Sequence, residues 1–346
     1  MEKSMYGRKK EGVCVKGFFR ECLQDGGTGR MEGERGRSMQ KRKGESVGGV
    51  ERRVRAVIWN VAGLKKKDEE FWKFLMDYEI IGLVETWVDE KEWERLERKM
   101  PEGWKWRCQP AEKDCKKGRA KGGIVTGVRR ELEEKEVGYE EKEGLQEREV
   151  VIDRERWRFM MVYNREGRKE GLEKMKEVIR EDNEGRLVIA GDFNARIGEE
   201  GGWGELSMER GETSEKERES KDKMINKQGR DLMEVIEERG WMVLNGSKEG
   251  DEEGEWTYEK GGGKSVIDYG IVNWEAWKGV ERFEVVCRVE SDHLPIVIDL
   301  GRWYERGEGR EEEERVQDWS GEGVRKFRQA LRLNGKGKGY KRRGRS

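Results

Sequence analysis

Arg186-Leu-Val-Ile-Ala-Gly-Asp-Phe-Asn194 decides how this chain is read. Four aliphatic residues in a row form a short buried strand, and Gly191, Asp192 and Asn194 then open it into a loop. Strand ends that open into loops are where folded domains place side chains that act on ligands.

Upstream of this strand, short β-branched runs alternate with amphipathic stretches. Arg55 to Asn60 reads as a strand, Phe71, Phe74, Leu75 and Tyr78 recur at helical spacing, and Ile80 to Glu85 reads as a second strand. That β-α-β opening belongs to a layered α/β domain. Strands are expected near 123–128, 150–153 and 158–163, followed by a helix carrying Leu172, Met175, Val178 and Ile179 on one face. Downstream, 197–222 is dense in Gly, Glu, Ser and Lys and is expected to be a long surface loop, in which Trp203 could stack on a base. A helix through Leu232, Val235 and Ile236 ends at Gly240. Strands are then expected at 241–245, 256–259, 266–272, 283–288 and 296–300.

Of 346 residues, 43% are charged and 33% hydrophobic, so stretches without apolar periodicity are not expected to order themselves. Residues 1–53 carry 14 Lys/Arg against 8 Asp/Glu and read as a flexible basic arm. Residues 54–300 read as the folded domain, and 301–346 as a charged linker, a short helix at Val324, Phe327 and Leu331, and a basic tail. Net charge is −1, which gives no global argument for a polyanionic partner. Five cysteines (Cys14, Cys22, Cys108, Cys115, Cys287) lack CxxC spacing, arguing against a disulfide framework or a cysteine zinc site. No apolar run approaches the roughly 18 residues of a membrane span. A soluble, intracellular protein is expected.

Polar groups recur at strand ends: Asn60, Glu85-Thr86, Tyr163-Asn164, Asp192-Phe-Asn194, Asp268 and Ser291-Asp-His293. Any one of these is explained by the turn preference of Asp and Asn, but six in one chain are not. His293 is the only histidine, and it sits between Asp292 and the last core strand.

WN at 59–60, VET at 84–86, GDFN at 191–194 and SDH at 291–293, in this order, resemble the endonuclease/exonuclease/phosphatase superfamily, which includes the apurinic/apyrimidinic-type endonucleases and DNase I. The resemblance spans residues 54–300. It is closest to the endonuclease domain of insect non-LTR (LINE-type) retrotransposons, through GDFNA, WTY, SVIDY and SDH, and Asp318 to Val324 looks like the connector leading toward a reverse transcriptase.

The resemblance implies a four-layer α/β sandwich, two facing mixed β-sheets flanked by helices, as in DNase I. It implies a metal-dependent DNA-nicking endonuclease with Mg²⁺, or alternatively Mn²⁺, as the ion, DNA as the partner, and neither a membrane nor a small organic cofactor. A monomer is expected, nuclear if it acts on chromosomal DNA. Glu85, Asp292 and Asn60 would place the metal. Tyr163, Asp192, Asn194, Asp268 and His293 would be catalytic, with Asp268 orienting His293, Asn194 positioning Asp192, and Asp192 and His293 sharing the acid/base role. Asn60, Asn194 and Ser291 would contact substrate. Two departures stand out: Ala62 replaces a residue that is polar or acidic in many members, and Asn164-Arg165-Glu166 lacks the proline common after the motif tyrosine. The alternatives are a phosphatase on a small phosphoester and a catalytically silent nucleic-acid-binding remnant held by basic arms.

Overall fold

The computed structural model describes residues 51–113, 118–135, 142–165, 169–179, 185–202 and 218–304. The expected basic arm up to residue 50, the linker, helix and tail beyond 304, and Trp203 lie outside the described residues.

β1 (Glu51–Asn60) alternates its apolar side chains between two cores: Ala56 and Ile58 on one side, Val57 and Trp59 on the other. It pairs in parallel with β2 (Ile80–Val84) and antiparallel with β14 (Ile296–Tyr304). β3 (Trp104–Gln109), β4 (Ile124–Arg129) and β13 (Arg282–Val285) complete a six-stranded sheet in the order β13-β14-β1-β2-β4-β3.

The second sheet is built from β5 (Glu133–Lys135), β6 (Leu145–Ile152), β7 (Glu155–Tyr163), β8 (Arg186–Asp192), β9 (Met242–Val243) and β12 (Asp268–Val272), in the order β5-β6-β7-β8-β12-β9. Its one parallel pair is β7–β8, as β1–β2 is in the first sheet, so both sheets are mixed. β10 (Tyr258–Lys260) and β11 (Gly263–Ser265) form a separate two-stranded ribbon.

Three apolar clusters mark the layers. Ile58, Ile80, Phe159, Met161 and Val188 meet between the two sheets. Trp59, Phe71, Leu75 and Leu83 join the outer face of the first sheet to α1 (Glu69–Leu75). Met160, Leu172, Ile189, Leu232 and Ile236 join the outer face of the second sheet to α3 (Lys169–Val178) and α4 (Lys227–Arg239). Helix, sheet, sheet and helix make the four expected layers. α2 (Glu90–Leu96) and α5 (Trp274–Gly279) are further short helices.

The helix ends follow side-chain chemistry. Asp68, Asp89 and Asn226 cap α1, α2 and α4 by accepting from the third residue onward, and Gly240 ends α4 at φ 61°, where a Cβ would be strained. Gly191 at φ 147° lies so close to β7 that a Cβ would stand 2.0 Å from the Val162 carbonyl oxygen. Only glycine lets β8 close on β7 one residue before Asp192.

Several expectations need correction. β14 runs to Tyr304 and pairs with Glu51 of β1, so the folded body exceeds 54–300 at both ends. The strands expected at 256–259 and 266–272 begin later, at Tyr258 and Asp268. The C-terminal part of the expected surface loop is interior: Arg218, Ser220 and Asp222 are buried. Arg218 donates to the carbonyl oxygens of Gly198, Glu200 and Asn245, and Asp222 pairs with Arg196 through two hydrogen bonds. Polar residues are buried there because backbone and charge partners from elsewhere in the chain meet most of their hydrogen-bonding groups.

Candidate active site

Strand register brings the polar ends together. Asn60, the last residue of β1, lies opposite Val84 of β2, which puts Glu85 beside it. In the second sheet Asp192 lies opposite Tyr163 on one side and Asp268 on the other. His293 precedes β14 and bridges Tyr258, whose ring meets the imidazole edge-on at 4.8 Å.

Asn60 ties the two sheets together. Its Oδ1 accepts from the Ala62 amide at 3.0 Å, which fixes Nδ2 as the face turned into the site. Nδ2 lies 2.9 Å from Glu85 Oε2, 2.8 Å from Asp192 Oδ2 and 3.3 Å from His293 Nε2. Asp192 Oδ1 accepts from the Asn194 amide at 2.9 Å, and Asn194 reaches this position with φ 48°, a left-handed conformation that asparagine tolerates. Asp268 faces His293 Nδ1 with both oxygens, at 2.9 and 3.1 Å, so Nδ1 carries the proton and Nε2 is left toward Asn60 and Asp192. His293 Nε2 stands 3.9 Å from Asp192 Oδ2.

Three carboxylates (Glu85, Asp192, Asp268) thus gather around one imidazole, and the electrostatics follow. Burial, then the neighbouring Asp268, raise the Asp192 carboxyl to about 7. Burial alone would lower His293, but the Asp268, Asp192 and Asp292 carboxylates outweigh it and raise the imidazole to about 9. One oxygen each of Glu85 and Asp192 and a nitrogen of His293 lie within 4.8 Å of one another, a set able to hold a metal ion. Two carboxylates in an acidic, partly buried setting fit a hard divalent cation such as Mg²⁺ or Mn²⁺, whose charge would offset the excess of negative groups.

A family model described as endonuclease-reverse transcriptase matches residues 157–297. The match takes in Asp192, Asn194, Asp268 and His293. Solved structures share its fold. The endonuclease domain of TRAS1, a telomere-specific non-LTR retrotransposon, is 19% identical, covers 74% of this chain and 100% of its own, and has a TM-score of 0.53. The 3′-5′ exonuclease NExo from Neisseria meningitidis is 15% identical over 72% of this chain and 100% of its own, with a TM-score of 0.51. AP endonuclease LMAP from Leishmania major is 15% identical over 72% of this chain and 88% of its own, with a TM-score of 0.52. No curated protein matches the sequence significantly.

Within this fold, Asn60, Glu85, Asp192, Asn194, Asp268 and His293 form one connected cluster. Three other expected residues stand differently. Asp292 is at the rim, paired with Lys260 Nζ at 2.8 Å; burial would raise its carboxyl, but Lys260 and His293 hold it below the usual range. Ser291 Oγ donates to the Asn60 carbonyl oxygen at 2.8 Å and accepts from the His293 amide at 3.2 Å, bracing the two motifs. Tyr163 is half-buried beside Asp192 and lines a small cavity with Gly122, Gly123 and Asn164. Asn60 turns Nδ2 toward Glu85, Asp192 and His293, while its Oδ1 accepts from Ala62.

Supporting residues were not recognised as such in the sequence. Thr257 Oγ1 accepts from the amides of Ile267 and Asp268 at 3.0 Å each, and Asn245 brackets Asp268 and Gly270. The WTY motif contains Thr257, which was the one available signal. Trp59 Nε1 donates to the His293 carbonyl oxygen at 2.8 Å, so the first motif holds the last.

Proposed function

We propose that this domain, residues 54–300 with short strand extensions, is a divalent-metal-dependent endonuclease that nicks DNA and descends from a non-LTR retrotransposon. The observation that carries the activity is the convergence of Asp192, the Asp268–His293 pair, Asn60 and Glu85 from five strand ends. The retrotransposon origin is supported by the motif order, the family description and the likeness to the TRAS1 domain.

A phosphodiester is anionic, and its hydrolysis needs a nucleophile, a proton acceptor and neutralisation of charge on the leaving oxygen. Mg²⁺, when bound, would supply that neutralisation and lower the pKa of a coordinated water. Glu85 and Asp192 would hold it by their carboxylate oxygens. His293, kept cationic near neutral pH by Asp268, would donate from Nε2 to a phosphate oxygen. Asp192, raised to about 7, would take the proton from water, with Asn194 and Asn60 fixing its orientation. A cation on Asp192 would lower that value, so the carboxylate form would prevail at neutral pH.

The test is relaxation of supercoiled plasmid by the full chain. Nicking should require Mg²⁺ or Mn²⁺, stop with EDTA and return when the ion is resupplied. Absence of nicking, together with turnover of inositol phosphates or lipid headgroups, would favour the phosphatase alternative. Salt-sensitive DNA binding without cleavage at any metal concentration would favour a silent remnant.

A further inference from the structure

Glu85 has a second tether that the roles above leave unused. Asn60 Nδ2 donates to Oε2 at 2.9 Å, and Trp87 Nε1 donates to Oε1 at 3.1 Å, so each oxygen of the carboxylate is held by an N–H. Trp87 is placed there against local preference. Its φ of 57° is a left-handed conformation that a bulky residue rarely adopts. Glu85, two residues earlier, has φ 54°.

Neighbouring groups hold the strained turn. The Trp87 amide donates to the Gly122 carbonyl oxygen at 3.0 Å, and the Thr86 amide to that of Gly123 at 3.1 Å. A Cβ on Gly63 would stand 2.3 Å from Trp87 Cε3, so glycine is required for the ring to seat. The Arg119 guanidinium stacks over the indole at 3.4 Å. Local strain persists only where the surroundings over-determine it, and here they fix the direction of one indole N–H.

We propose that Trp87 is a positioning residue for Glu85: its indole N–H, acting with the Asn60 amide, orients the carboxylate before a divalent cation arrives. This rests on the metal role proposed for Glu85. A carboxylate has about four lone-pair sites, and two N–H donors leave the remainder in fixed directions. A ligand oriented in advance loses less rotational freedom on binding, which is why partners behind a ligand tune metal affinity. Trp87 also lines a cavity with Lys65, Lys66 and Arg119. A ring serving only as cavity wall would be replaced without penalty by another aromatic ring.

Trp87→Phe separates the two roles, because it keeps an aromatic ring under Arg119 and removes the N–H. Calorimetric titration of the full chain with Mn²⁺ should show affinity weakened about tenfold or more, with the melting temperature of the metal-free protein and DNA binding in EDTA unchanged. A folded Trp87→Phe chain that binds Mn²⁺ like the parent overturns the proposal. Should that variant not fold, the parent chain labelled with ¹⁵N-tryptophan decides. One indole N–H resonance should shift on Mg²⁺ addition and be displaced in metal-free Glu85→Gln; no displaced resonance overturns the tether. If Glu85→Gln binds Mn²⁺ as the parent does, it is the metal role of Glu85 that fails, independently of the indole result.

Discussion

Two of the buried polar clusters among the described residues contrast, and only one of the two is balanced in charge. On β6, Glu147, Arg148 and Glu149 are buried together with Gln146, and each charge has an opposite partner. Arg148 Nε meets Glu134 at 2.5 Å, Arg158 meets Glu147 through two hydrogen bonds, and Arg156 meets Glu149 at 2.9 Å. At the strand ends, Glu85, Asp192 and Asp268 gather around His293, and their hydrogen bonds come from amides, an indole and the imidazole. The β6 cluster is complete as it stands. The strand-end cluster holds more carboxylates than cationic side chains, which is how a candidate site differs from a structural network of equal burial.

The sharpest way to break that contrast is to truncate one member of the strand-end cluster. His293→Ala and Asp192→Ala should each lower the nicking rate by roughly 10²–10⁴-fold, the usual contribution of a positioned acid or base, while circular dichroism stays native. Persistent nicking in either variant would remove the residue from the chemistry. Arg148→Met should do the reverse. It takes the nearest cation from Glu134 and one hydrogen bond from the Thr126 hydroxyl, and should cost about 3–5 kcal/mol in denaturant unfolding, with the folded fraction still nicking at the parental rate.

The strand-end cluster was more legible in the sequence than the β6 cluster, for a physical reason. Asp192, Asn194, Asp268 and His293 each end or precede an apolar run, so the polar residue stands out against its strand. Gln146-Glu147-Arg148-Glu149 resembles a solvated segment, and only the residues after it were expected to be a strand. They are buried because Glu134, Arg156 and Arg158 come from neighbouring strands and Thr126 from the facing sheet, and such partners are not visible in local periodicity. The same limit explains β3, α2 and α5, whose half-buried faces carry Trp and charge together. Boundaries at Tyr258 and Asp268 were missed because Thr257 binds backbone amides rather than joining a ladder. For the site, order of motifs was enough to name the cluster, but not to see that Asn60 turns its amide nitrogen inward or that Asp292 belongs to Lys260.

A smaller effect separates the clusters by pH. Asp192 has a folded value raised from 3.8 to about 7, and His293 from 6.5 to about 9. A raised value means the folded state holds the proton more tightly, so the stability is fully present below the ordinary value and is lost as pH rises through the folded one. For Asp192 that window is about 4 to 7, and for His293 about 6.5 to 9. The metal-free melting temperature should therefore fall between pH 5 and pH 9, and Mg²⁺ should restore more of it at pH 8 than at pH 5. A metal-free curve that rises across this range would contradict the excess of negative charge assigned to the cluster. In nicking assays the alkaline limb set by His293 should disappear in His293→Asn.

The smallest test compares one substitution at two fully buried threonines. Thr126 Oγ1 accepts from Arg148 and donates to Gln146, both at 2.8 Å, whereas Thr86 Oγ1, between Glu85 and Trp87, is buried with no hydrogen-bond partner. Valine matches threonine in shape and lacks only the hydroxyl. At residue 126 the change leaves a guanidinium N–H and an amide oxygen without that partner, and should destabilise by about 1–3 kcal/mol. At residue 86 it removes an unsatisfied polar atom, and should be neutral or stabilise by up to about 1 kcal/mol. Opposite signs would show that the β6 cluster depends on its threonine hydroxyl and that the strand-end cluster does not. Equal destabilisation would mean that the Thr86 hydroxyl is satisfied in solution and that the two clusters differ only in charge.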